Sequence, residues 1–150
     1  MTGKVVKIGI SKLSGGQIIS LGQAEVIKGR GIINDRFFTE NNEKKNQITL
    51  IEIENIDNYN KSSKTDIPPL NFRRNIVTEG IRLNSLIGKE LLIGSVKVIG
   101  HDLCRPCKHL QENLNQTDII KKFLHTGGLR CEILSSGKIF VGDIIKQKND

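Results

Sequence analysis

The chain has 150 residues, 37% hydrophobic and 26% charged, a balance that suits one globular domain over residues 1–150 and excludes a disordered tail. It contains no apolar run near the roughly 18 residues of a spanning helix, and Met1-Thr2-Gly3-Lys4-Val5-Val6-Lys7 lacks the core of a signal peptide. The expectation is a soluble, cytoplasmic protein with no membrane partner. Its 23 basic and 16 acidic residues leave a net charge of +7, which favours anionic partners.

Lys4 to Ser11 carries β-branched Val5, Val6, Ile8 and Ile10 and ends at Ser14-Gly15-Gly16, predicting a strand and a turn. A second strand is predicted over Gln23 to Lys28. Gly31 to Arg36 reads as a turn in which Asp35 pairs with Arg36 or Arg73, and the polar stretch Glu40 to Asn46 reads as an exposed loop. Gln47 to Ile53 has strand length and density, and Ile56 and Tyr59, three apart, predict a short helix over Glu54 to Tyr59. Lys61 to Pro69 should be a loop, with Leu70 to Val77 the next strand.

Leu91 to Ile93 and Val96 to Ile99 flank Gly94-Ser95, the clearest hairpin of the chain. Asp118 to Leu124 suits a short helix broken by Gly127-Gly128. Leu129 to Leu134 is predicted to pair across Ser136-Gly137 with Lys138 to Val141, before a last strand from Ile144 to Lys146. About seven short strands separated by turns, without internal repeats, predict a mainly β fold, a barrel with a few short helices. A doubly wound α/β fold is disfavoured, because it needs crossover helices that this sequence lacks.

Cys104-Arg105-Pro106-Cys107 follows directly on a predicted strand. Thiolates are the reactive form of cysteine, and Arg105, Lys108 and His109 should lower the pKa of a thiol in this pair. The bland alternative is a pair of small core residues. Zinc is not expected: a structural site needs four ligands, and Cys131, His101, His109 and His125 supply no second close pair. Dithiol exchange at Cys104 and Cys107 remains an alternative, although such motifs sit at helix starts in βαβ patterns.

Two further clusters are candidates for an anion site. Phe72-Arg73-Arg74-Asn75 offers two guanidinium forks and an amide, although on a strand adjacent side chains face opposite ways and only one Arg would reach a pocket. His125-Thr126-Gly127-Gly128-Leu129-Arg130 places glycines that permit close backbone approach between a titratable ring and a cation. A binding module for anions or nucleic acid, using the +7 surface, is the alternative from another class. Five Phe, one Tyr and no Trp leave little for base stacking, so nucleic acid is the weaker partner.

Taken in order, Gly31 to Arg36, Gln47-Ile48-Thr49-Leu50-Ile51, Arg73-Arg74-Asn75-Ile76-Val77, Leu86-Ile87-Gly88, Cys104-Arg105-Pro106-Cys107, His125 to Arg130 and Val141-Gly142-Asp143 resemble the MOSC domain family over nearly the whole chain, in its small stand-alone bacterial form. That family takes its name from the C-terminal domain of molybdenum cofactor sulfurases. The resemblance implies a β-barrel that binds the molybdenum cofactor (molybdopterin) or carries sulfur on a reactive cysteine. It matches Cys107 to the nucleophile or molybdenum ligand and makes Cys104 a second thiol. Arg73, Arg74, Asn75, Lys108, His125 and Arg130 are the implied contacts to the anionic pterin. The implied activity is sulfur transfer, or the cofactor-binding part of a molybdenum oxidoreductase, with a separate sulfur donor or redox partner protein. Pyridoxal phosphate enters only as an association of the larger family members. The chain departs from the family pattern at Asn34 and Phe37, where Gly and His are common, and at Arg74, where Pro is frequent.

Overall fold

The computed structural model describes residues 2–148, and among these it forms eleven strands and three α-helices. The strands are β1 (Thr2–Ile10), β2 (Ile19–Leu21), β3 (Gln23–Ile27), β4 (Gly31–Ile32), β5 (Ile48–Glu52), β6 (Ile76–Glu79), β7 (Glu90–Ile93), β8 (Val96–Leu103), β9 (Leu129–Ile133), β10 (Gly137–Phe140) and β11 (Ile144–Gln147). The helices are α1 (Ile53–Ser63), α2 (Lys108–Asn113) and α3 (Ile119–Lys122).

Seven strands close on themselves in the order β1-β6-β5-β9-β8-β7-β11, and β11 pairs back onto β1. Closure removes the open edges that a flat sheet of this size would expose. Every pairing in the ring is antiparallel except β5 with β6, which is parallel and is bridged by α1. A parallel pair needs such a crossover, because its strands must be entered from the same end. β2 extends the ring beside β1, and β10, β3 and β4 form a separate three-stranded sheet.

The interior is aliphatic: Val5, Ile8, Ile10, Leu50, Ile76, Leu91, Val98, Leu129, Ile133 and Ile145 pack in one cluster. Val5 and Ile8 have opposite parity, yet both point inward. A register shift between Val5 and Lys7 in the pairing with β6 resets the alternation, as a bulge does. A second cluster on the outside of β5 and β6 joins α1 to α2 and α3, with the Phe123 ring 4.9 Å from Phe72 and 5.4 Å from Tyr59. The Tyr59 hydroxyl donates to Asp118 and fastens α1 to the start of α3. Among the described residues no helix is long and apolar enough to cross a membrane.

The β7–β8 hairpin forms as expected, with Ile93 opposite Val96. Two expectations fail. Leu70 to Val77 is not one strand: Pro69 opens a 3-10 turn over Pro69–Phe72, Arg73 takes a left-handed conformation at φ 65°, and the strand begins only at Ile76. The hairpin between β9 and β10 does not form either, since β9 pairs with β5 and β8 while β10 pairs with β3. The Ser hydroxyls of the connection explain the crossing. Ser135 accepts from the Lys97 amide on β8 and Ser136 from the Lys28 amide just after β3, so the connection is tied to both sheets. The edge strand β2 and the helix α2 were not anticipated, and α1 runs past Tyr59 to Ser63.

Candidate functional site

At the end of β8 the chain leaves the sheet and Cys104 tucks inward, 1% exposed, its amide donating to the Gly128 carbonyl at 2.7 Å. The glycine pair before β9 permits this approach. A Cβ at Gly127 would lie 2.5 Å from the Cys104 carbonyl oxygen. At Gly128, where φ is 120°, a Cβ would collide with the Leu50 carbonyl oxygen and sit 3.4 Å from Cys104 Sγ. Only glycine brings β5, β9 and the cysteine together here.

Above Cys104 lies a hollow of about 90 Å³, lined by Arg36, Phe37, Thr49, Arg73, Arg74, Asn75 and Arg130 besides the cysteine. Four arginines and one thiol thus line the same hollow. Arg73 and Arg74 both reach the hollow because the left-handed turn at Arg73 interrupts the strand alternation that would have set them on opposite faces. Arg74 is held by its Nε, which donates to the Gly127 carbonyl at 2.8 Å. Arg73 donates from Nη1 to the Gly16 carbonyl at 2.8 Å, whereas its Nη2 is buried without a hydrogen-bond partner. A buried donor left unmade costs roughly 1–3 kcal/mol.

Arg36 is anchored by Asp35, 3.6 Å away, and its guanidinium lies over the Phe37 ring at 4.5 Å. Asp35 is fixed in turn by the Ser11 amide. Asp35 therefore pairs with Arg36. Asn34, in the position where the family commonly has Gly, adopts φ 73° and so keeps the backbone that glycine would take. Asn75 spends its amide internally: Oδ1 accepts from the Thr49 amide and hydroxyl, and Nδ2 donates to the Gly9 carbonyl. Its part at the hollow is to lock β6 to β1 and β5.

Burial pushes the Cys104 thiol above the usual range, opposed by the positive charges of Arg74 and Arg130. Burial likewise lowers the Arg36 pKa, partly offset by Asp35, with Arg73 and Arg74 adding repulsion. The expected lowering of a thiol's pKa by Arg105, Lys108 and His109 is therefore reversed at Cys104. Those three side chains are exposed, and water screens them, while desolvation of the buried sulfur dominates.

The structure gathers Cys104, Arg73, Arg74, Asn75 and Arg130 around one hollow and leaves Cys107, Lys108 and His125 outside the residues that line it. Cys107 is exposed at the start of α2, where its Sγ accepts from the Leu110 amide at 3.4 Å. His125 is exposed and contributes its carbonyl to Asn84. Arg36, Phe37 and Thr49 went unrecognised as site residues. The first sits in a turn that reads as structural, and nothing local marks the other two.

A model of the MOSC domain matches residues 20–146. No curated protein matches the sequence. Among solved structures, the YuaD protein from Bacillus subtilis is similar with a TM-score of 0.83 at 20% identity, over 97% of this chain and 94% of that one. YiiM from Geobacillus stearothermophilus is similar at a TM-score of 0.77 and 16% identity, over 98% of this chain and 75% of its own. YiiM from Escherichia coli gives 0.71 at 15%, over 98% and 70%. At these identities the structures speak for the fold. With the closed barrel described above and a family model covering most of its length, the chain belongs to the MOSC domain family.

Proposed function

We propose that the chain binds an oxyanion-bearing, thiophilic group over Cys104, the molybdenum cofactor or a sulfane sulfur carried there. The observation that supports this most is the convergence of four arginines and a thiol on one hollow, with Arg74 and Arg130 close enough to act on the charge of Cys104 and Arg73 Nη2 buried without a partner. Guanidinium forks match phosphate and oxo groups, and a soft sulfur suits both molybdenum and a second sulfur atom. The donor set therefore fits the anionic part and the soft atom of such a group. A hollow of about 90 Å³ holds one small anionic group and not a whole pterin.

Arg36, Arg73, Arg74 and Arg130 would neutralise the oxyanion, and Cys104 would meet the soft atom. Bound molybdenum would supply two-electron redox chemistry. The residues of the chain prepare for it. Gly127 fixes Arg74, Asp35 fixes Arg36, and burial keeps Cys104 protonated until a soft partner displaces the proton. Cys107, exposed at the start of α2, is the thiol that a separate donor protein reaches first.

The family resemblance matches Cys107 with the reactive cysteine, whereas the geometry favours Cys104, so the two must be separated. Each is changed to Ser, and both variants and the parent are co-expressed with cofactor synthesis and assayed for molybdopterin. Intact mass is measured after incubation with a persulfide donor. The parent should gain cofactor or one sulfur atom, Cys104→Ser should gain neither, and Cys107→Ser should keep cofactor binding. A parent that gains neither, or a Cys104→Ser protein that behaves as the parent does, overturns the proposal.

A further inference from the structure

Two of the arginines at the hollow are anchored through one buried serine. Ser11, the first residue after β1, is 0% exposed. Its backbone serves Arg36: the Ser11 amide donates to Asp35 Oδ1 at 3.1 Å, Asp35 pairs with Arg36, and the Ser11 carbonyl accepts from the Arg36 amide at 2.8 Å. Its side chain serves Arg73. The hydroxyl donates to the Leu13 carbonyl at 2.7 Å, the same oxygen accepts from the Gly16 amide at 2.9 Å, and the Gly16 carbonyl accepts from Arg73 Nη1 at 2.8 Å. An unbroken run of hydrogen bonds thus joins Arg36 to Arg73.

A buried hydroxyl needs a partner, and the Leu13 carbonyl meets that need locally. The further consequence is that this carbonyl, once held, also holds Gly16, since bonds in such a run support one another. The loop has little else to fix it. Lys12 to Gly15 are exposed, Leu13 by 72%, and a segment so poor in buried contacts opens locally at low cost. An anion site gains when its arginines are placed before the ligand arrives, because less side-chain freedom is then lost on binding. Arg74 provides the contrast, being held from the Gly127 carbonyl on a separate segment.

We infer that Ser11 is a positioning residue: through the 11–16 loop it fixes Arg73 relative to Arg36, and so sets the affinity of the hollow for an oxyanion. This rests on the anion reading above and adds how that site is preorganised.

Calorimetric titration of the full chain with inorganic phosphate, beside heteronuclear NMR spectra of its arginine side chains, tests it. Ser11→Ala removes the hydroxyl and leaves the backbone bonds to Asp35 and Arg36. Its affinity for phosphate should fall about fivefold, as suits one neutral hydrogen bond, at a temperature where melting curves show it fully folded. The Arg73 guanidinium signals, sharp in the parent, should broaden, while the Arg74 Nε signal stays unchanged. A merely structural serine would lower the melting temperature without separating the two arginines. Gly16→Ala gives the same readouts should Ser11→Ala fail to fold, because a Cβ there lies 3.0 Å from the Leu13 carbonyl oxygen and 3.3 Å from Ser11 Oγ and wedges the same link. Unchanged phosphate affinity in a folded variant, or Arg73 and Arg74 signals that change together, overturns the inference while the anion site stands. A parent that binds no phosphate instead overturns the anion reading, and the role given to Ser11 falls with it.

Discussion

Burial and charge act on Cys104 in opposite directions, and burial wins: desolvation raises its pKa more than Arg74 and Arg130 lower it. Its reactivity must therefore follow pH. Iodoacetamide at neutral pH should modify exposed Cys107 first, and the rate at Cys104 should keep climbing above the range in which an ordinary thiol has levelled off. Peptide mass mapping of a pH series checks this, and equal rates for the two cysteines would show that Cys104 is open to solvent. Cys131, fully buried, is also raised by desolvation and by Cys104. Both thiols ionise more readily in the unfolded chain, so the stability they contribute is complete below the usual thiol pKa and is lost as pH rises toward their folded values. Cys131→Ala should accordingly lose less thermal stability than the parent between neutral and alkaline pH. Arg73 offers a separation of strain from function. A left-handed residue costs roughly 1–2 kcal/mol unless it is glycine, so Arg73→Gly should be more stable than Arg73→Ala by about 1 kcal/mol. Both should lose anion binding. At this scale the sequence displayed the residue types that line the hollow, Cys104, Arg73, Arg74 and Arg130. It hid which of the two cysteines turns inward, because that depends on the Gly128 carbonyl of a distant segment.

The elements that bring these residues together are short, and their ends matter more than their middles. β5 and β6 run parallel only because α1 returns the chain, and the Asn75 side chain closes the gap where β6 begins by satisfying Thr49 and Gly9. Replacing Asn75 with Leu leaves a buried donor and a buried acceptor unmade, a cost of about 2–5 kcal/mol. Chemical denaturation should show this loss with little change in the strand content of the folded protein. Strand assignments were legible wherever β-branched residues alternate between turn signals, as in the β7–β8 hairpin. Pairing was less legible. Ser135-Ser136-Gly137 has the composition of a hairpin turn, yet its hydroxyls bond to β8 and to the end of β3, so β10 is carried into the second sheet. No local pattern records a hydrogen bond to a strand about 40 residues earlier, as with Ser135 and Lys97. The same limit concealed Arg73: a Pro-started 3-10 turn inside an apolar run reads as a strand until its φ is known.

For the molecule as a whole, the net charge of +7 is less informative than where the charge is concentrated. Four arginines face one hollow, and Asp35 is the carboxylate that pairs with one of them there, so the folded state carries repulsion that the unfolded chain does not. On the proposed function, an oxyanion in the hollow would remove that repulsion, and a ligand that binds only the folded state stabilises it by mass action. At one hundred times the dissociation constant the gain is about 2.7 kcal/mol, which for a chain of this size raises the melting temperature by roughly 5–10 °C. Plain ionic strength screens the same repulsion, but weakly, because the groups are partly buried and lie within a Debye length of one another. Phosphate or molybdate should therefore raise the melting temperature well beyond chloride at equal ionic strength, with saturation. The excess should shrink in Arg73→Lys, which keeps the charge and loses the fork. If chloride and phosphate gave the same curve, or if Arg73→Lys matched the parent, the stabilisation would be general screening, and the convergence of guanidinium groups over Cys104 would not be a binding site.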